Sequence, residues 1–255
     1  SPKEIHYVAS PTENAQARYL PQWIRKNLTE SEKETAVVLC NESLLQPVLH
    51  SLPEDVKHVN ITMGFPLSQT PVYSFVLALL ELQINGFNPK NGRFLFEQVI
   101  AVLKHPYTRQ QTTEAEALEK SLTQDNRFYP LPGELKKDEF LSHLFTPVSG
   151  ILPLTDYLLE ALQQVAVIYR KDKEKEQDEA LNQLYRESLF KAYTTFGRIR
   201  TLMEEGILNI QPHTFRKLVV RILSTLNIPF HGEPAIGLQV MGVLETRNLD
   251  FRHLI

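Results

Sequence analysis

Apolar and polar positions follow two different rhythms along this chain. In the opening stretch, up to about residue 65, short apolar runs alternate with helix-spaced segments. Ile5-His6-Tyr7-Val8-Ala9 is expected to form a strand. Ser10 or Thr12 then caps a helix whose Ala15, Tyr19, Trp23 and Ile24 recur at helical spacing, with Pro21 expected to kink or shorten it. Thr35 to Leu39 is a compact β-branched run of the kind buried on both faces of a parallel sheet. Asn41 is placed to cap a helix with Leu44, Leu45, Val48 and Leu49 on its apolar face, and Val56 to Thr62 reads as a third strand. Strands separated by single helices predict parallel pairing through right-handed crossovers.

From Thr70 onward the period becomes helical. Thr70-Pro71 combines a capping residue with proline at the first helical position, and the helix should stop at Asn85-Gly86. Further helices are predicted over Phe94–Leu103, Glu114–Leu122, Leu154–Tyr169, Glu179–Met203 and Phe215–Leu226, the last capped near His213-Thr214. In the longest of these, Leu181, Leu184, Tyr185, Leu189, Ala192, Tyr193, Phe196, Ile199 and Met203 make one stripe, read as core. The mixed-charge run Arg170 to Glu179 reads as a solvated helix junction. At the end the texture reverts. Phe230 to Pro234 is turn-rich, Leu238 to Leu244 reads as a strand, and His253-Leu254-Ile255 can start another.

The predicted fold class is therefore α/β: a split parallel sheet domain interrupted by an all-helical inserted subdomain. Residues 1–84 with 228–255 are assigned to the sheet, and residues 85–227 to the helical insertion. Residue 1 is not Met, and Ile255 ends on an apolar, strand-like segment, so the sequence is expected to be a piece of a longer chain.

Composition narrows the function classes. The 255 residues are 42% hydrophobic and 22% charged, with a net charge of −3. No whole-chain basic field draws the protein to nucleic acid, which argues against an autonomous DNA-binding domain. No run of residues approaches the length and apolarity of a membrane span, and the N-terminus has no signal-peptide pattern, so a cytoplasmic protein without membrane attachment is expected. The single cysteine, Cys40, follows Ala36-Val37-Val38-Leu39 and reads as a buried small hydrophobe.

Motifs for independent catalysis are missing from the sequence. It has no phosphate-binding loop, no dinucleotide glycine fingerprint, no nucleophile elbow and no His-Glu-x-x-His. Carboxylate pairs such as Glu54-Asp55 and Glu204-Glu205 stand in polar surroundings and read as surface charge. Two segments hold more information. Thr62, Met63 and Gly64 end a strand and turn toward the Thr70-Pro71 helix, at the sheet edge where open α/β sheets place ligands. The strand Leu238 to Leu244 opens into a polar loop, Glu245 to Asn248, which closes on Leu249 and Phe251, and Arg247 and Asp250 are spaced so that either could reach a ligand there.

The latter stretch resembles motif V of superfamily 1 DNA helicases of the UvrD/Rep/RecB type, a strand Val-Gln-Leu-Met-Thr followed by Leu-His-x-x-Lys-Gly-Leu-Glu-Phe. Leu238-Gln239-Val240-Met241 matches the strand, Arg247 falls on the lysine, Asn248 on the glycine, Leu249 on the leucine, Asp250 on the glutamate and Phe251 on the phenylalanine. Gly242 and Leu244 replace the threonine and histidine, which removes two hydrogen-bonding groups. The segments Thr35–Asn41 with Leu44–Leu49, and Val59–Leu67, resemble the upstream strand, helix and motif IVa loop of the same domain.

The resemblance implies the second RecA-like domain of such a helicase, with the degenerate motifs of AddB-like subunits in helicase–exonuclease complexes for double-strand-break repair. It places Thr62, Met63, Gly64, Gly242, Leu244, Glu245 and Thr246 at the DNA, and Arg247 and Asp250 at the nucleotide and interdomain cleft. It implies ATP and Mg for the full-length parent and none for this stretch alone. The implied partners are mostly single-stranded DNA, the first RecA-like domain, and a nuclease domain or helicase–nuclease partner subunit. Motif VI and the motif IV arginine are absent. A non-catalytic DNA- or partner-binding scaffold with an inactivated motor is the alternative, and an independent small-molecule enzyme using the sheet edge is a third.

Overall fold

A computed structural model describes residues 4–28, 32–53, 56, 58–171, 179–228 and 237–255. The chain divides into two compact units, Ser1–Phe65 with Pro229–Ile255, and Pro66–Ile228.

The first unit is α/β. Its sheet contains β1 (Thr35–Leu39), β2 (Val59–Ile61), β3 (Leu238–Gly242) and β4 (His253–Leu254), in the order β2-β3-β1-β4 with every pairing parallel. Strand β3, from the far end of the sequence, lies between the two strands from its beginning. It pairs Gln239 to Gly242 with Ala36 to Leu39, and Leu238 to Val240 with Val59 to Ile61. All five β3 residues are buried, as a central strand covered on both faces requires, with Gln239 the one polar side chain among them.

Helix α1 (Glu13–Asn27) begins at Thr12, whose Oγ accepts from the Ala15 amide. It runs through Pro21 without being shortened and buries Ala17, Leu20 and Ile24. Asn41 caps a short helical turn at Glu42–Leu44, which leads into α2 (Leu45–His50), where Leu45 and Val48 are buried.

The expected strand over residues 5–9 does not form. Ile5, Tyr7 and Val8 are exposed, Tyr7 to 93%. The reason is occupancy: β3 takes one side of β1 and β4 the other, so β1 has no free edge for the N-terminal segment. The β4 ladder is continued by Arg252 N–H to Glu34 O at 2.9 Å and Ile255 N–H to Ala36 O at 3.0 Å.

The second unit is helical: α3 (Pro71–Glu81), α4 (Phe96–Leu103), α5 (Pro106–Gln111), α6 (Glu114–Gln124), α7 (Pro132–Leu135), α8 (Glu139–Leu144), α9 (Ile151–Lys171), α10 (Glu179–Glu204) and α11 (Pro212–Ser224). A two-residue hairpin pairing, Phe87–Asn88 with Arg93–Phe94, joins α3 to α4. Helix α3 groups with this unit, whereas the sequence pattern assigned residues 66–84 to the sheet. Its Val72, Phe75, Val76, Leu79 and Leu80 are all fully buried. Helices α9 and α10 pack antiparallel, since Asp156 near the start of one binds Arg200 near the end of the other. The Asp172–Asp178 part of the mixed-charge run, and the Phe230–Pro234 loop, lie outside the described residues. Among the described residues no helix is long and apolar enough to cross a membrane.

Candidate functional site

Because β1, β2 and β3 are parallel and in register, their carboxyl ends open on one edge. Leu39 stands beside Gly242, and Ile61 beside Val240. Three segments follow those ends: Cys40 to Glu42, Thr62 to Gly64, and Val243 to Thr246. Seven of the nine site residues expected from the sequence, those assigned to DNA, therefore gather at one edge of the sheet.

Their side chains differ in availability. Thr62 is exposed, with its amide donating to Val240 O at 3.1 Å, whereas Met63 is buried and packs as core. Leu244 is 85% exposed and Glu245 is exposed, both in a short helical turn at Leu244–Thr246. The Thr246 hydroxyl donates to Val243 O at 2.7 Å, which ties it to its own turn.

Arg247 and Asp250 lie on the segment that leaves this edge to begin β4 beside the amino end of β1. Both are exposed, and neither makes an ion pair or hydrogen bond among the described residues. Asn248 between them has φ 62°, a left-handed conformation that asparagine tolerates better than most residues. Two positions beyond Asp250, the Arg252 amide donates to Glu34 O at 2.9 Å, and its guanidinium forms an ion pair with the Glu34 carboxylate at 3.6 Å.

The electrostatics of the edge are acidic. A Cβ placed on Gly242 would meet Glu245 Oε2 at 2.6 Å and Glu42 Oε1 at 3.4 Å. The space a threonine side chain would need is thus filled by carboxylates. A phosphate brought to Gly242 would face two negative charges, and Glu13 stands nearby, accepting from the Asn41 amide at 3.0 Å. Arg247 is the cation of the loop. Cys40 is exposed rather than buried, because the chain leaves the sheet directly after Leu39.

Two polar sets were not singled out by the sequence pattern. Asn60 and Gln239 are register partners on β2 and β3, and both are buried. A polar residue in each of two apolar strands was the available signal. The other is a Ser–His contact in the helical unit. The Tyr107 amide donates to His105 Nδ1 at 3.2 Å, so the ring proton sits on Nε2 and points at Ser74 Oγ, 3.0 Å away. The Ser74 hydroxyl in turn donates to Pro71 O at 3.0 Å. Burial pushes the His105 pKa down to about 4. The imidazole is a donor to the serine and the cap of α5, which is the wrong tautomer for a base that activates a nucleophile.

No model of a known protein family matches the chain, and no curated protein matches it either.

Proposed function

We propose that this chain is the second, RecA-like motor domain of a UvrD/RecB-type helicase–exonuclease subunit acting in double-strand-break repair. In this reading residues 66–228 are a helical insertion in that domain and the subunit is cytoplasmic. The domain supplies half of an ATP cleft and part of a single-stranded DNA groove, facing a first RecA-like domain that holds the phosphate loop. The observation that carries the reading is the central position of β3. The strand with the motif V pattern lies between β1 and β2, and its outgoing loop opens at the carboxyl edge. The residues present fit only the far side of a nucleotide site. The Arg247 guanidinium, which makes no ion pair among the described residues, is available to a phosphate or ribose oxygen, and Asp250 to a ribose hydroxyl or a hydrated cation.

Given ATP and magnesium, the isolated chain is expected to show no turnover. It is expected to bind oligo-dT weakly, with affinity falling steeply as salt rises. Joined to a domain bearing a phosphate loop, Arg247→Ala should lower ATP turnover. ATP hydrolysis by the pure chain, or tight sequence-specific binding to a duplex, would overturn the reading.

A second reading, a non-catalytic scaffold with an inactivated motor, is favoured by one observation. Glu42 and Glu245 crowd Gly242, so the position that resembles a DNA contact is lined with acids. In that case Arg247→Ala would leave the turnover of the joined assembly unchanged.

A further inference from the structure

The net charge of −3 is not spread evenly along the chain. Between Glu205 and Glu233 the sequence has no acidic residue, and the lysine and arginines of that interval, Arg216, Lys217 and Arg221, all lie on α11. Arg216 is held by Glu81 of α3 at 3.0 Å. Lys217 and Arg221 are exposed and make no ion pair among the described residues.

Successive residues turn by about 100° around an α-helix, so His213, Thr214, Lys217, Arg221 and Ser224 fall within one arc of roughly 100°. All five are exposed. Phe215, Val219 and Leu223, on the opposite side, are buried, and no large apolar side chain of α11 is exposed. One side of the helix therefore packs against its own unit. The other is a polar strip that places Lys217 and Arg221 about 6 Å apart along the axis.

We propose that this strip of α11 binds the phosphate backbone of double-stranded DNA, without regard to base sequence. Lys217 and Arg221 neutralise phosphates, while His213 and Thr214 offer hydrogen bonds to phosphate oxygens. Other polyanion-binding surfaces are built differently. A single strand is gripped by aromatic rings as well as cations, and the strip has no Phe, Tyr or Trp. A membrane-surface helix inserts its apolar face, which here is buried. A protein partner needs apolar anchors at the centre of the contact, and the strip offers none. A duplex stacks its bases inward and lines its outside with phosphates, so cations and hydrogen-bond donors suffice. The inference goes beyond the reading above, which places single-stranded DNA at the sheet edge, and does not depend on it.

The test uses the full chain and a fluorescent, mixed-sequence duplex of ~25 base pairs, followed by anisotropy at several NaCl concentrations from about 20 to 150 mM. Lys217→Gln/Arg221→Gln is expected to weaken binding roughly fivefold or more at the lowest salt. It should also reduce the slope of log K against log salt by about 2, since each lost phosphate contact removes about 0.9. Ser224→Lys adds a cation to the same strip, so it should tighten binding and steepen the slope by about 1. Lys136→Gln/Lys137→Gln removes the same charge from two exposed lysines of the same unit and should leave the slope unchanged. Thermal unfolding verifies that each variant folds. A duplex of shuffled sequence should bind equally well.

Wild-type protein that binds no duplex at the lowest salt would overturn the proposal. So would a Lys136/Lys137 variant that weakens binding as much as the α11 variant, because the effect would then be one of net charge. A single strand of equal length bound more tightly than the duplex, with the same dependence on Lys217 and Arg221, would overturn the assignment to paired DNA. Poly-glutamate or phosphatidylserine vesicles bound through those residues in place of the duplex would overturn it as well. Duplex binding that survives in the α11 variant but is lost in Arg247→Ala would sink it while leaving the sheet-edge reading standing.

Discussion

Asn60 and Gln239 face each other across β2 and β3, and the Asn60 amide donates to Gln239 Oε1 at 2.7 Å. The Gln239 amide passes the chain on to Gly237 O at 3.0 Å, so two buried polar side chains satisfy one another. The separation of 179 positions between these partners makes this bond a clasp between the two ends of the sequence.

Truncating one member should cost more than replacing both. Gln239→Ala leaves the Asn60 amide buried without its partner, at about 1–3 kcal/mol. The double change Asn60→Leu/Gln239→Leu removes both polar groups and should cost less than the sum of its single changes. Urea unfolding of the two single variants and the double variant gives the coupling directly.

Glycines 237 and 197 should respond oppositely to alanine. Gly237 has φ 80°, and a Cβ there would lie 2.1 Å from the carbonyl oxygen of His58, a backbone atom that cannot swing away. Gly237→Ala is expected to destabilise the sheet unit by well over ~1 kcal/mol, or to prevent its folding. Gly197 lies inside α10 with no neighbour within 4 Å of a Cβ. Gly197→Ala should stabilise the protein by about 0.5–1 kcal/mol. Denaturant midpoints compare the two.

His105 makes stability depend on mild acid. Its folded pKa of about 4 lies below the ordinary value of 6.5, because burial disfavours the imidazolium. Between those values the unfolded chain binds the proton that the folded chain refuses. This contribution is therefore full above pH 6.5, is lost progressively as pH falls toward 4, and is constant below that. The slope from this one group cannot exceed ~1.4 kcal/mol per pH unit. In His105→Asn the cap of α5 can persist while the titration is removed, so the curve of stability against pH should flatten in that window.

Gln83 clamps the chain between α8 and α9. Its amide donates to Leu144 O at 3.2 Å and Thr146 O at 3.1 Å, and its Oε1 accepts from Val148 N–H at 3.1 Å. The Leu144 carbonyl keeps a second donor in Gln83→Leu, the buried Tyr157 hydroxyl at 2.9 Å. The Val148 amide keeps none of these contacts. A loss of about 2 kcal/mol is expected, with faster hydrogen exchange at Val148 as the local signature.

Cys40 is exposed and is the single cysteine of the sequence. One thiol per chain should react with a disulfide reagent under native conditions, without denaturant. The product carries its label at the carboxyl end of β1, where ligand binding at the sheet edge should slow the reaction.

Much of this was legible in the residues because it depends on local period and local caps. The apolar spacing in α9 and α10 specifies helices whatever they pack against, Thr12 and Asn41 cap where a short polar side chain can reach a free amide, and the largely apolar run of β3 matches a strand covered on both faces. The resemblance of residues 238–251 to a helicase motif likewise belongs to the sequence. Only the tertiary structure decided which strand lies beside which. That choice left residues 5–9 without a partner, since β4 claimed the free side of β1, and it exposed Cys40 where the chain turns off the sheet. Exposure around a helix is decided in the same way. Phe190 and Tyr193 face water because the α9 contact covers the opposite side of α10, and period alone does not say which sides of a long helix find a neighbour. Spacing along a chain encodes periodicity, whereas burial depends on residues brought near from elsewhere in the sequence.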